Sequence, residues 1–147
     1  MDGTGATNPS SPPPLICVSE ECAGTKVSLA VFDLGRQLLV WGWAGAGGGG
    51  GPPPLGAVAL GVPGPPRPTA TGLVPGAGDD GASRALAARL ATRLGVPVAV
   101  AWHIGGGGGG GGAAGPDAAL GAWAERRLME EMRKAGRWPA PAQPAPQ

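Results

Sequence analysis

The sequence predicts an α+β domain, with two helices on one face of a small antiparallel or mixed sheet of about four to six strands. Three patterns carry this. Residues 83–104 change period in mid-run. Leu86, Leu90 and Leu94 share a helical face, then Val96, Val98, Val100, Trp102 and Ile104 alternate with Pro97, Ala99, Ala101 and His103 as in a strand. Gly95 marks the junction, because glycine takes the left-handed conformation that ends a helix. Two further alternating runs, 26–34 and 38–43, flank Asp33-Leu34-Gly35-Arg36-Gln37, a turn in which Gly35 supplies a positive φ. A second helical period spans residues 116–135.

In chain order, residues 1–14 are a polar, Pro-rich tail, expected to be disordered. Leu15–Ser19 reads as a short first strand at a sheet edge. Lys26–Leu34 and Leu38–Trp43 form the hairpin. Its second strand shows Leu38 and Val40 on one face and Leu39, Trp41 and Trp43 on the other. Both hairpin faces are apolar, whereas a half-solvated sheet carries polar residues on its outer face. A second cover is therefore expected, either the chain's own loops or a partner protein, and loops this rich in Gly and Pro bury little. Residues 44–54 are a Gly/Pro insertion. Leu55–Val62 reads as a third strand and Pro63–Pro75 as a loop. Asp79 or Asp80 is placed to cap the first helix. Residues 105–115 are a flexible Gly-rich linker. The last helix starts at Pro116 and Asp117, which suit a helix N-terminus. Leu120, Ala124, Leu128 and Ala135 form its apolar stripe, with Met132 at the margin and Glu130–Lys134 as an i,i+4 pair. Residues 136–147 read as a Pro/Ala/Gln tail. The domain proper thus spans 15–135.

Composition narrows the function classes. Of 147 residues, 30 are Gly and 18 Pro. Such a share without a collagen period marks low-complexity segments between ordered ones. The net charge of +1 makes no case for nucleic acid or an anionic membrane. Met1-Asp2-Gly3 lacks the basic start of a signal peptide, and no run approaches the ~20 apolar residues of a membrane span. A cytoplasmic or nuclear location is expected, with Cys17 and Cys22 as reduced thiols.

Catalytic chemistry is poorly supplied. His103 is the only histidine, so any Ser-His or Cys-His pair would need it. It reads instead as an ordinary strand-end residue. Cys17 and Cys22 fit neither a CxxC motif nor a zinc site. The glycine runs match GxGxxG only trivially and lack the GK[ST] of a phosphate loop. Asp79 and Asp80 are read as a cap rather than a carboxylate pair. Trp41 and Trp43 could stack bases, but no basic frame surrounds them. No cofactor and no metal are expected, and the chain is read as a non-enzyme. Arg89 and Arg93 on the first helix, with Arg126, Arg127 and Arg133 on the second, read as either a solvated face or a docking ridge for an acidic partner.

A resemblance gathers these features. Leu38-Leu-Val-Trp41-Gly42, Leu60, Leu86-Ala-Ala-Arg89-Leu90-Ala91, Val96-Pro-Val98-Ala-Val100 and Glu125-Arg-Arg127-Leu128-Met-Glu130-Glu131-Met132 follow one another in this order. Together they resemble the fourth proteasome-assembly chaperone family, over residues 27–43, 55–62 and 80–133. The Gly/Pro insertions at 45–54 and 105–115 depart from that pattern. The resemblance implies a small sheet with two helices and no enzymatic activity. It implies heterodimer formation, sheet against sheet, with the third assembly chaperone. The pair would then engage α-subunits of the 20S proteasome and leave as β-subunits join. Leu39, Trp41 and Trp43 are the expected contacts to the partner chaperone, and Arg89, Arg93, Arg126 and Arg127 to an α-subunit. The competing expectation is a generic interaction domain that homodimerises through the same sheet.

Overall fold

Alternation and turn chemistry build the first half of the sheet. The computed structural model describes residues 15–46, 56–74, 81–104 and 116–138. Strand β1 (Ile16–Cys22) is longer than the Leu15–Ser19 expected from its apolar residues, because Glu20 and Glu21 continue it. Ala23 and Gly24 turn the chain with φ of 50° and 78°. That is the left-handed pair of a two-residue hairpin. Strand β2 (Thr25–Asp33) returns, and β3 (Leu38–Ala46) follows as the second hairpin. In the turn between them Gly35 has φ 88°. Its N–H donates to Asp33 Oδ1 at 2.8 Å, and the Leu34 N–H donates to the Gln37 carbonyl at 2.9 Å.

The second half differs from the expected loop. Strand β4 (Val58–Val62) pairs antiparallel with β5 (Thr69–Val74), inside the segment read as Pro63–Pro75 loop. The prolines at 63, 65, 66 and 68 hid it: they sit in the connection, and the strand begins directly after them. An edge strand needs only one partner, so the polar Thr-Ala-Thr-Gly pattern is sufficient there. Helix α1 (Gly81–Leu94) ends at Gly95, φ 68°, whose N–H donates to the Ala91 carbonyl at 2.9 Å. Strand β6 (Val98–His103) and helix α2 (Pro116–Lys134) complete the fold.

The six strands form one mixed sheet in the order β1-β2-β3-β6-β4-β5. Strand β6 runs parallel to β3 and antiparallel to β4; the other pairings are antiparallel. The architecture is therefore α+β with two helices on one face, as the periodicity predicted. The assignments to 1–14, 47–55, 75–80 (Asp79 and Asp80 included), 105–115 and 139–147 fall outside the described residues.

Register places the core. Val27, Leu29 and Val31 of β2, Leu38 and Val40 of β3, and Val98, Val100 and Trp102 of β6 point to the same face. They join Leu86, Ala87, Leu90 and Ala91 of α1 and Ala124, Leu128 and Met132 of α2 in one buried cluster. Met132 is fully buried, not marginal, while Ala135 is exposed. The apolar repeat of α2 runs straight at i,i+4 and ends one turn earlier than expected.

Where α1 crosses β4, side chains give way to backbone. A Cβ at Gly61 would lie 2.2 Å from the Ala87 carbonyl oxygen. Beside it Ala59, Ala87 and Ala91 are wholly buried, so the helix rests on a floor of small residues. Trp102 fills the corresponding gap on β3, its ring lying where a Cβ on Gly42 would come within 2.6 Å. The β4–β6 ladder ends at Ala59↔Val100. Beyond it the Trp102 N–H donates to the buried Ser83 Oγ at 3.0 Å, so the first turn of α1 takes over from the strand.

The C-terminal end of α2 is also tied down, where a free tail from 136 was expected. Gly136 (φ 69°) donates to the Arg133 carbonyl at 3.0 Å, and the Arg137 N–H to the Met132 carbonyl at 2.9 Å. This double bond pattern is a Schellman cap. It turns Arg137 onto Asp33 in an ion pair and brings Trp138 back against the core.

The tight seat of α1 yields a direct test. Gly61→Ala should lower stability by about 1–3 kcal/mol, the range of an overpacked contact. Gly64→Ala, at a glycine with open space around it, should stay within about 0.5 kcal/mol of wild type. Urea denaturation of the two variants measures both.

Candidate partner interface

The face of the sheet away from the helices is built from the other set of alternating residues. Register sets them in rows. Phe32, Leu39, Ala99 and Leu60 form one row across β2, β3, β6 and β4. Ala30, Trp41 and Ala101 form the next, and Ser28, Trp43 and His103 the third. Among the described residues no helix lies on this face, since α1 packs on β4, β5 and β6 and α2 on β1 and β2 from the core side.

The middle of the face is aromatic. The rings of Trp41 and Trp43 lie 4.7 Å apart between centroids, tilted at 41°. Trp41 stands between Ala30 and Ala101, both small and both buried. Its indole N–H is enclosed and has no acceptor among the described residues. Leu39, Trp41, Trp43, Phe32 and Leu60 are all half-buried, and Val62 beside them is 41% exposed. The structure thus brings the three predicted apolar residues together and adds Phe32, Leu60 and Val62. Phe32 was readable from the hairpin, since the register that faces Leu39 outward does the same for its partner.

Polar residues border the face. Ser19 and Ser28 share a hydrogen bond at 2.9 Å. The His103 ring packs on Gly56, where a Cβ would lie 2.6 Å from Cε1. Cys17 is exposed on β1 and Cys22 half-buried. Among the described residues no three His, Cys, Asp or Glu side chains gather as a metal site requires, and no helix is long and apolar enough to cross a membrane.

The arginines separate into two groups. Arg89 and Arg93 stand exposed on α1, and Arg126 is exposed on α2. Arg89 binds Glu125 at 2.6 Å, which links the two helices. Arg127 turns the opposite way, to β1. Its Nε lies 3.0 Å from both carboxylate oxygens of Glu20, and its Nη2 lies 2.5 Å from Oε1. Its Nη1 also meets Glu130 at 3.0 Å and Glu131 at 2.7 Å. Lys134 adds contacts to the same two carboxylates at 3.3 and 2.9 Å. The hydrogen bonds from Arg127 hold the Glu20 carboxyl below its ordinary value, and those of Lys134 and Arg127 do the same for Glu130. The Glu20 bond in turn raises Arg127 further above its already high range. Arg127 therefore fastens α2 to the edge of the sheet.

Comparison with known proteins finds no family model that matches the chain and no curated protein that matches it.

The Glu20–Arg127 tether sets a pH dependence. Because the folded state holds Glu20 below its ordinary value of 4.5, the stabilisation is complete above that value and is lost as pH falls below it. Wild type should melt above Glu20→Gln at pH 7, and the gap between the two should close on acidification below pH 4.5. Melting curves of both proteins across pH check this.

Proposed function

We propose that this chain is a non-catalytic chaperone subunit of the proteasome-assembly type, working as half of a heterodimer. Its open sheet face packs against the matching face of a related chaperone, of the kind called the third assembly chaperone. The pair then holds α-subunits during formation of the 20S ring. One observation carries the reading: a paired-tryptophan, apolar sheet face with no helix over it among the described residues, on a fold whose helices occupy the other side.

The physical argument is one of area and residue type. Six strands at ~4.8 Å spacing and ~3.3 Å per residue offer a face on the order of 500 Å² in projection. Side-chain relief raises the accessible area toward the ~800 Å² that one partner contributes to a standard interface. Trp and Phe at the centre are the residue types that concentrate binding energy when a partner excludes water. The family resemblance of residues 27–43, 55–62 and 80–133 supplies the class of partner. Arg89, Arg93 and Arg126 remain as α-subunit contacts; Arg127 already spends its hydrogen bonds on Glu20.

Affinity purification of the tagged chain from its own cells should recover a second small chaperone and proteasome α-subunits, without mature β-subunits. Trp41→Asp should abolish recovery of the chaperone while the far-ultraviolet circular dichroism stays that of wild type. Recovery of the tagged chain only with copies of itself would replace this reading with a homodimeric scaffold.

A further inference from the structure

A second surface lies on the helical side of the molecule. Between α1 and α2, a groove of about 410 Å³ has an apolar floor formed by Leu86, Leu90, Met129 and Trp138. Its rim is cationic: Arg89 and Arg93, one helical turn apart on α1, and Arg133 on α2. Trp138 reaches this floor only because the Schellman cap at Gly136 turns the chain back. The Arg133 guanidinium stands 5.8 Å from the centre of the Trp138 ring, a cation–π arrangement.

The charges at the rim do not cancel. Arg89 is matched by Glu125. Glu130 and Glu131, the carboxylates of α2 nearest Arg133 in sequence, are engaged by Arg127 and Lys134. Arg93 and Arg133 have no carboxylate partner among the described residues and stay exposed. Two guanidinium groups without a carboxylate partner among the described residues thus flank an apolar trough. Arg, Trp and Met are the types enriched where proteins grip partners, and Arg forks fit carboxylates in pairs of hydrogen bonds.

We propose that this groove is a docking site for a short acidic peptide segment, anchored by one bulky apolar side chain on Trp138 and Met129 and held by carboxylates at Arg93 and Arg133. The site is separate from the sheet face and does not rest on pairing through it. A trough of this size holds one or two large side chains, so a linear segment fits better than a folded surface. The charge contribution should weaken with salt, because the rim arginines are exposed to solvent.

The test uses the full chain and a phage-displayed library of random heptapeptides, panned in ~0.05 M NaCl, where screening is weak. The enriched sequences should carry one bulky apolar residue beside at least two Asp or Glu. A synthetic peptide of the enriched sequence should shift the indole N–H resonance of Trp138, assigned with Trp138→Phe, and leave those of Trp41 and Trp43 unmoved. Arg93→Glu combined with Arg133→Glu should weaken its binding by about tenfold or more. Trp41→Asp should leave binding unchanged, which separates this site from the pairing face. The proposal is overturned if nothing is enriched, if the double variant binds as wild type does, or if the shifts fall on Trp41 and Trp43. An acid-free, Pro-rich consensus resembling 139–147 would also overturn it, assigning the groove to the chain's own C-terminal segment.

Discussion

The contact of Gly61 with the backbone of Ala87 governs the distribution of bulk in this domain. A helix that rests directly on a strand leaves no room for side chains between them, so β4 must present Ala59 and Gly61 inward. Alternation then sends Val58, Leu60 and Val62 to the opposite face. The small residues of β4 therefore face inward and its larger ones outward. The same exchange occurs on β3, where Gly42 yields its space to Trp102 and the large residues Leu39, Trp41 and Trp43 face outward. On β3 and β4 the bulky residues thus stand on the open face where glycine meets close neighbours on the covered one.

Charge follows a similar division. The β1 edge carries Glu20, and α2 answers it with Arg127, so that one arginine serves three carboxylates. Arg127 in this way engages two acidic residues of its own helix, Glu130 and Glu131, besides Glu20. Of the three arginines that line the groove between the helices, Arg89 pairs with Glu125, and Arg93 and Arg133 have no carboxylate partner among the described residues. Structural pairing on one face of the helix leaves Arg133 on another face without a carboxylate partner among the described residues.

Legibility in the sequence tracked the distance over which each feature is determined. The hairpin, its two faces and the run from Ser83 to Ile104 are local patterns, and the alternation of Val96 through Ile104 marked their inward side without error. Strand β5 was hidden because its prolines stand next to it and because an edge strand needs no strong apolar alternation. The cap at Gly136 was masked by the Pro/Ala composition that follows. The role of Arg127 was not readable at all: Glu20 is 107 positions away, and five arginines with similar helical surroundings look alike until the sheet is in place. Of the interface, Leu39, Trp41 and Trp43 were visible from one strand, whereas the cationic groove needs two helices and a returning chain end to exist.

The strand order has a consequence for how the molecule comes into being. Strands β1 to β3 form a meander, β4 and β5 an antiparallel pair, and among the described strands only β6 pairs with both. As the chain leaves the ribosome, the two halves emerge early but have no shared border until residues 98–103 arrive. Their exposed β3 and β4 edges must wait unpaired through that interval, a period in which strand edges recruit the wrong neighbours. Insertion of β6 pairs both edges at once. It also brings Trp102, whose backbone N–H donates to Ser83 Oγ, so the strand that closes the sheet is also the one the first turn of α1 is bonded to. Parallel pairing between distant segments forms slowly in general, and the β3–β6 ladder is the pairing of that kind in this sheet.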